Sequence, residues 1–123
     1  MPENKKILLI ESDDFYAKIV SGCLQHSGFK VLVATSGEEG LKDAASEQPD
    51  LILLSIKLPK KDGFEVLEEL KAGPETKNIP VAMLSDLGAR EDVCQCLKRG
   101  ACNYFIKAHH QPQEVAQALK NLI

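Results

Sequence analysis

The sequence predicts an α/β sandwich, a doubly wound five-stranded parallel sheet with helices on both faces. Three observations predict it. Five short apolar runs alternate strictly with amphipathic stretches, the signature of repeated β/α units. The apolar runs are continuous instead of alternating, which marks strands buried on both faces. The 123 residues fit one domain, read as 1–123, and 44% hydrophobic residues suffice for its core.

Each element has its own signal. KILLIE (6–11) is the first strand. A helix follows from Asp13 or Asp14 to about His26, because Phe15, Ile19, Val20, Cys23 and Leu24 recur at helical spacing. Asp13 suits its N-cap and Gly28 its stop. KVLVA (30–34) is the second strand, and Ser36 caps a helix over about 37–47 with Leu41, Ala44 and Ala45 inward. DLILLS, ending at Ser55, is the third strand. KLPKKDG is a loop in which Asp62 and Gly63 make a turn into helix 64–71, with Val66, Leu67 and Leu70 apolar. IPVAMLS (79–85) is the fourth strand, with Pro80 near its start, where a missing N–H is tolerated. A helix from about Leu87 to Arg99 stops at Gly100, and NYFIK (103–107) is the fifth strand. Pro112 opens a last helix, 112–122, whose apolar positions are Val115, Ala116, Leu119 and Leu122. Right-handed crossovers leave few topologies, and the leading one is the flavodoxin-like strand order 2-1-3-4-5.

Composition excludes several function classes. A net charge of −3 gives no reason to expect nucleic acid or an anionic membrane as partner. No apolar run approaches the ~18–20 residues of a membrane span. MPENKK followed by strand-like KILLI is not a signal peptide, so the chain reads as cytoplasmic. Cys23, Cys94, Cys96 and Cys102 lack paired CxxC spacing and read as reduced thiols rather than zinc ligands.

In such a sheet, sites form beyond the carboxyl ends of the strands. That rule selects Glu11-Ser12-Asp13, Ser55, Ser85-Asp86 and Lys107. One carboxylate, two alcohols and one ammonium would converge in a single crevice.

With ILLIES-D at 7–13, PDLILLSIKLPKKDGFEVLEELK at 49–71, IPVAMLS at 79–85 and GACNYFIK at 100–107, the chain resembles the receiver domains of two-component response regulators over nearly its whole length. The resemblance implies roles. Glu11 and Ser12 stand where the family has two acidic residues that hold Mg²⁺. Ser55 stands at the phospho-acceptor aspartate, and Ser85 at the switch hydroxyl. Tyr104 matches the aromatic whose rotamer reports activation, and is expected to face the surface. Lys107 matches the lysine that pairs with the phosphoryl group. Ser12 and Ser55 depart, and each departure removes a carboxylate. Ala108 departs from a common proline.

A serine hydroxyl is a weak nucleophile without a base, and one carboxylate is a poor Mg²⁺ site. The expectation is therefore a degenerate receiver that is not an enzyme, has no catalytic residue and binds Mg²⁺ weakly or not at all. Lys107, with Lys57 as helper, would ion-pair Glu11 in place of the metal. A protein partner is expected on the helix 4–strand 5–helix 5 face, about 87–122, with Arg90, Lys98, Arg99, Gln113, Gln117 and Lys120 exposed. The domain would be a monomer or weak homodimer. Alternatives are a receiver phosphorylated elsewhere, at Asp13 or Asp86, and a flavodoxin-like ligand-binding protein. Against the last, there is no Gly-rich phosphate cradle, and four Phe, two Tyr and no Trp are few to sandwich a flavin. His109 and His110 read as a polar loop.

Overall fold

A computed structural model describes residues 5–86 and 90–123. Ten elements alternate along the chain: β1 (Lys6–Ile10), α1 (Asp14–His26), β2 (Lys30–Ala34), α2 (Gly37–Glu47), β3 (Leu51–Ser55), α3 (Gly63–Ala72), β4 (Val81–Ser85), α4 (Arg90–Lys98), β5 (Asn103–Ile106) and α5 (Pro112–Leu122). The expected start of the fourth helix at Leu87 lies outside the described residues. All strand pairs are parallel, and the order is β2-β1-β3-β4-β5, as expected from the alternation.

The pleat sends successive side chains to opposite layers. Leu8, Ile10, Ile52, Leu54, Val81 and Met83 pack under α2, α3 and α4. Ile7, Leu9, Leu51, Leu53, Ala82 and Leu84 pack under α1 and α5. Every residue of β3 and β4 is buried. This explains their uninterrupted apolar runs, because neither face meets water.

Several helix ends are built by the residues that signalled them. Asp13 Oδ1 accepts from the N–H groups of Phe15 and Tyr16 at 3.0 and 3.2 Å. Ser36 Oγ accepts from Glu39 N at 3.2 Å, and Asp62 Oδ1 from Glu65 N at 3.0 Å. These bonds satisfy amides the helix leaves unpaired. Gly28 follows α1 with φ +99°, a conformation glycine adopts without strain.

Three outward-facing details differ from the periodicity. In α1 the buried row is Ala17, Val20 and Leu24, while Phe15 is 75% exposed and Ile19 40%. Apolar residues at helical spacing span two adjacent rows, and the packing contact with α5 and the sheet takes only one. In α5, Val115, Ala116 and Leu119 are buried but Leu122 is exposed, while Ile123 just past the helix packs against the core. Arg99 is not a free surface charge. Its guanidinium pairs with Glu68 at 3.3 Å and lies over the Phe64 ring at 5.6 Å.

Candidate functional site

The carboxyl ends of β1, β3, β4 and β5 bring Glu11, Ser55, Ser85 and Lys107 to one end of the sheet. Each is carried just at or past its strand. Glu11 N donates to Ala34 O at 2.9 Å, and Lys107 N donates to Ser85 O at 2.8 Å, so both strands continue by one rung. Gly63 holds the loop after Ser55 close. A Cβ there would lie 2.4 Å from Ser55 O, and Gly63 N donates to Ile56 O at 2.7 Å. Only a residue without a side chain fits this approach.

Glu11 is the centre of the arrangement and is 2% exposed. Its Oε1 accepts from Ser55 Oγ at 2.6 Å and from Lys107 Nζ at 2.8 Å. Its Oε2 accepts from Asp13 N at 3.1 Å. A buried carboxylate is tolerated only when paired and hydrogen-bonded, and here both oxygens are served. Ser55 is as buried as Glu11. Lys107 has 17% of its side chain exposed and lies 4.3 Å from the centroid of the Tyr16 ring. That distance is within cation–π range.

The other expected site residues are placed as follows. Ser12 is exposed, and its hydroxyl donates to Lys57 O at 3.2 Å, away from Glu11. The Lys57 side chain is exposed and, among the described residues, makes no ion pair. Lys57 is thus a solvated loop charge whose contribution is its carbonyl, because its side chain leaves the loop on the wet side. Asp13 is committed as the α1 cap, and Asp86 is exposed. Ser85 is buried and shares a hydrogen bond with Tyr104. Tyr104 does not face the surface. It is 9% exposed and packs in the core cluster under α4, and burial raises its phenol above the ordinary value of 10.0, with the Ser85 bond working the other way. His110 packs edge-on against Phe105 at 5.5 Å, its Nδ1 near Ile106 O, and His109 is exposed, so the pair forms a loop beside the site.

Tyr16 is the site residue that strand-end reasoning overlooks. It sits in the first turn of α1, three residues past the cap, so a rule that inspects only loops passes over it. Burial, then the carboxylates of Glu11 and Asp86, push its phenol up to about 12. It therefore stays neutral beside Lys107. Among the described residues no group of three or more His, Cys, Asp or Glu side chains is arranged to hold a metal ion, and no helix is long and apolar enough to cross a membrane.

Comparison with known proteins decides the family. Residues 7–120 match the response regulator receiver domain family. The chain belongs to that family. It is 36% identical over 120 residues to the alkaline phosphatase synthesis transcriptional regulatory protein PhoP of Bacillus subtilis, covering 98% of this chain and 49% of PhoP. It is 40% identical over 102 residues to the DNA-binding dual master transcriptional regulator RpaA of Synechocystis, covering 83% of this chain and 42% of RpaA. The chain thus spans about half the length of these relatives. Among solved structures, the CheY-like receiver domain protein of Methanospirillum hungatei superposes with TM-score 0.88 at 26% identity, covering 98% of this chain and 94% of that one. The BeF3-activated receiver domain of Klebsiella pneumoniae RstA superposes with TM-score 0.84 at 28% identity, covering 95% and 96%. Receiver domains serve two-component signalling by interacting with other proteins, and they are signalling modules rather than enzymes.

Proposed function

We propose that this receiver domain is a cytoplasmic protein-interaction module whose output does not depend on phosphoryl transfer at position 55. One observation carries the proposal: the Glu11 carboxylate is fully engaged by Ser55, Lys107 and Asp13 N–H, in a cluster with no carboxylate nucleophile. Ser55 Oγ does touch a carboxylate, but a carboxylate is a poor base for an alcohol, whose proton is held far more tightly than a carboxylic acid's. The hydroxyl is also almost closed to solvent.

The donor set does not fit Mg²⁺. That ion takes near-octahedral oxygen ligands, usually one or two carboxylates plus other oxygens. Here Glu11 is the single carboxylate in the cluster, and its lone pairs are directed at an ammonium, a hydroxyl and an amide. Ser12 is turned to the Lys57 carbonyl. The charge of Glu11 is balanced by Lys107, so no metal is needed to neutralise it. Tyr104, buried and bonded with Ser85, supports a switch that rests in one state.

For the partner, the elements α4, β5 and α5 of the proposed face offer exposed Leu97 at 46%, and Arg90, Lys98 and Lys120 are exposed on the same elements. Gln113 and Gln117 are not part of that face, since they line a groove against Lys18, Ile19 and Cys23 of α1. We take the domain as a monomer or weak homodimer. Incubation with acetyl phosphate and Mg²⁺, followed by intact mass, tests the central reading. An unchanged mass is expected. Gain of one phosphoryl group on the native chain overturns it, and peptide mapping would then locate the acceptor, with Asp13 and Asp86 to be checked first.

A further inference from the structure

We infer that Tyr16 is a positioning residue: its ring clamps the Lys107 ammonium onto Glu11, so the site supplies its own counter-charge. The inference rests on the proposed reading for its significance, a site that keeps its charges internal. Its geometry stands apart from that reading.

Four contacts close a ring through the same residues. Asp13 N donates to Glu11 Oε2 at 3.1 Å, and Tyr16 N donates to Asp13 Oδ1 at 3.2 Å. The Tyr16 ring lies 4.3 Å from Lys107 Nζ, and Lys107 Nζ donates to Glu11 Oε1 at 2.8 Å. The carboxylate that receives the cation thus also anchors the helix start that carries the ring. The hydroxyl does not explain the placement of this side chain. Among the described residues Tyr16 Oη is buried without a hydrogen-bond partner, an arrangement that costs stability unless another part of the residue compensates. The compensating part is the ring face. A phenol that stays protonated up to about pH 12 meets Lys107 as a neutral quadrupole, so the contact is a cation–π interaction and not a second ion pair. An ammonium carries three N–H donors. One is spent on Glu11 Oε1, and the ring shields another side of the group from water, which fits its low exposure.

The test is competitive acetylation of the native chain by a succinimidyl ester, read by peptide mass as the rate at Lys107 relative to Lys71. Lys71 is a useful internal standard. Its Nζ donates to the carbonyls of Ile79 at 2.8 Å and Lys77 at 3.2 Å, in the loop before β4 and away from the site. Tyr16→Leu keeps apolar bulk and removes the ring, so it is expected to raise the Lys107/Lys71 ratio about five-fold, the size of a partly desolvated cation–π contact. Tyr16→Phe keeps the face and is expected to leave the ratio unchanged. Tyr16→Met serves if the leucine variant folds poorly, and global loosening would raise both lysines and leave the ratio flat. An unchanged ratio in the folded leucine or methionine variant overturns the inference. So does a phenylalanine variant that releases Lys107 as fully as leucine. Phosphorylation of the native chain by acetyl phosphate would overturn the reading of the site but leave these ratios as they are, so the two failures are distinguishable.

Discussion

Placing an acidic residue at position 55 should harm this domain, and by an amount the site geometry sets. Ser55 Oγ lies 2.6 Å from Glu11 Oε1, so Ser55→Asp places a second carboxylate against the first. At an effective dielectric of about 20, two charges about 3.5 Å apart repel by about 5 kcal/mol. Lys107, already 2.8 Å from Glu11 Oε1, would attract the new charge from about 4–5 Å and offset about 4 kcal/mol of this. What remains is about 1 kcal/mol of repulsion, plus the lost hydrogen bond to a charged acceptor, about 1.5–3 kcal/mol. The sum is about 2.5–4 kcal/mol. A ceiling applies, because the introduced carboxyl can protonate. Holding a group of ordinary pKa ~3.9 protonated at pH 7 costs about 4 kcal/mol, and at pH 5 only about 1.5 kcal/mol.

The deficit therefore has a pH signature. The folded state raises the pKa of the introduced carboxyl, so folding takes up a proton and the variant loses stability as pH rises from ~4 toward 7. For a domain of this size, about 3–6 °C of Tm accompanies each kcal/mol. Thermal melts in a chelator are expected to show Ser55→Asp below the native chain by about 10–20 °C at pH 7 and by under about 9 °C at pH 5, scaling the same per-kcal figure. Ser55→Asn, uncharged and similar in shape, is expected to show a smaller deficit that does not change with pH. Equal melting of Ser55→Asp and native chains at pH 7 would refute the reasoning, as would a deficit that stays constant between pH 5 and 7.

Two further expectations follow from the same structure. The chain has two tyrosines, and burial raises both, Tyr16 to about 12. Ultraviolet difference titration should place both phenolate steps of the folded chain above their positions in the denatured chain, with that of Tyr16 at about 12. Because the folded pKa values are raised, this contribution to stability is complete below pH ~10 and is lost as pH climbs toward 12. A full step near 10 in the native chain contradicts the burial. On the proposed partner face, Lys98→Glu with Lys120→Glu should cut capture of a protein partner at least ten-fold, since charge reversal at an interface rim penalises association. Both lysines are exposed, so Tm should hardly move, and undiminished capture would place the interface elsewhere.

The layered fold was legible because it depends on local signals. A strand buried on both faces must be apolar throughout, and the runs ending at Ser55 and Ser85 satisfy that condition without knowledge of their neighbours. Asp13 and Ser36 were legible as caps because capping is chemistry between residues two or three apart. What remained hidden depends on pairs distant in sequence or on side-chain direction. The Ser55–Glu11 bond joins residues 44 apart; the Lys107–Glu11 pair, 96 residues apart, was legible only through the rule that strand ends converge and the family resemblance. The inward turn of Tyr104, the exposure of Phe15 and the engagement of Arg99 with α3 are rotamer and packing outcomes that periodicity leaves open. Tyr16 belongs to both classes, since its ring matters only once Lys107 arrives from the far end of the chain.

Ser12 and Ser55 are not equivalent, and their difference explains how the site holds together. Ser12 is exposed and bonded to the Lys57 carbonyl, outside the shell around Glu11. A charge there would be screened by water and would cost little. Ser55 is buried and shares the same Glu11 oxygen with Lys107. A charge there leaves one ammonium between two buried carboxylates. A neutral residue at 55 thus leaves the centre with one buried anion, one cation and one hydroxyl donor. In that neutral centre Lys107 is paired with Glu11 at 2.8 Å. Lys107, Ser85 and Tyr104 are each held by contacts within the domain: Lys107 by Glu11, and Ser85 and Tyr104 by burial and the hydrogen bond they share.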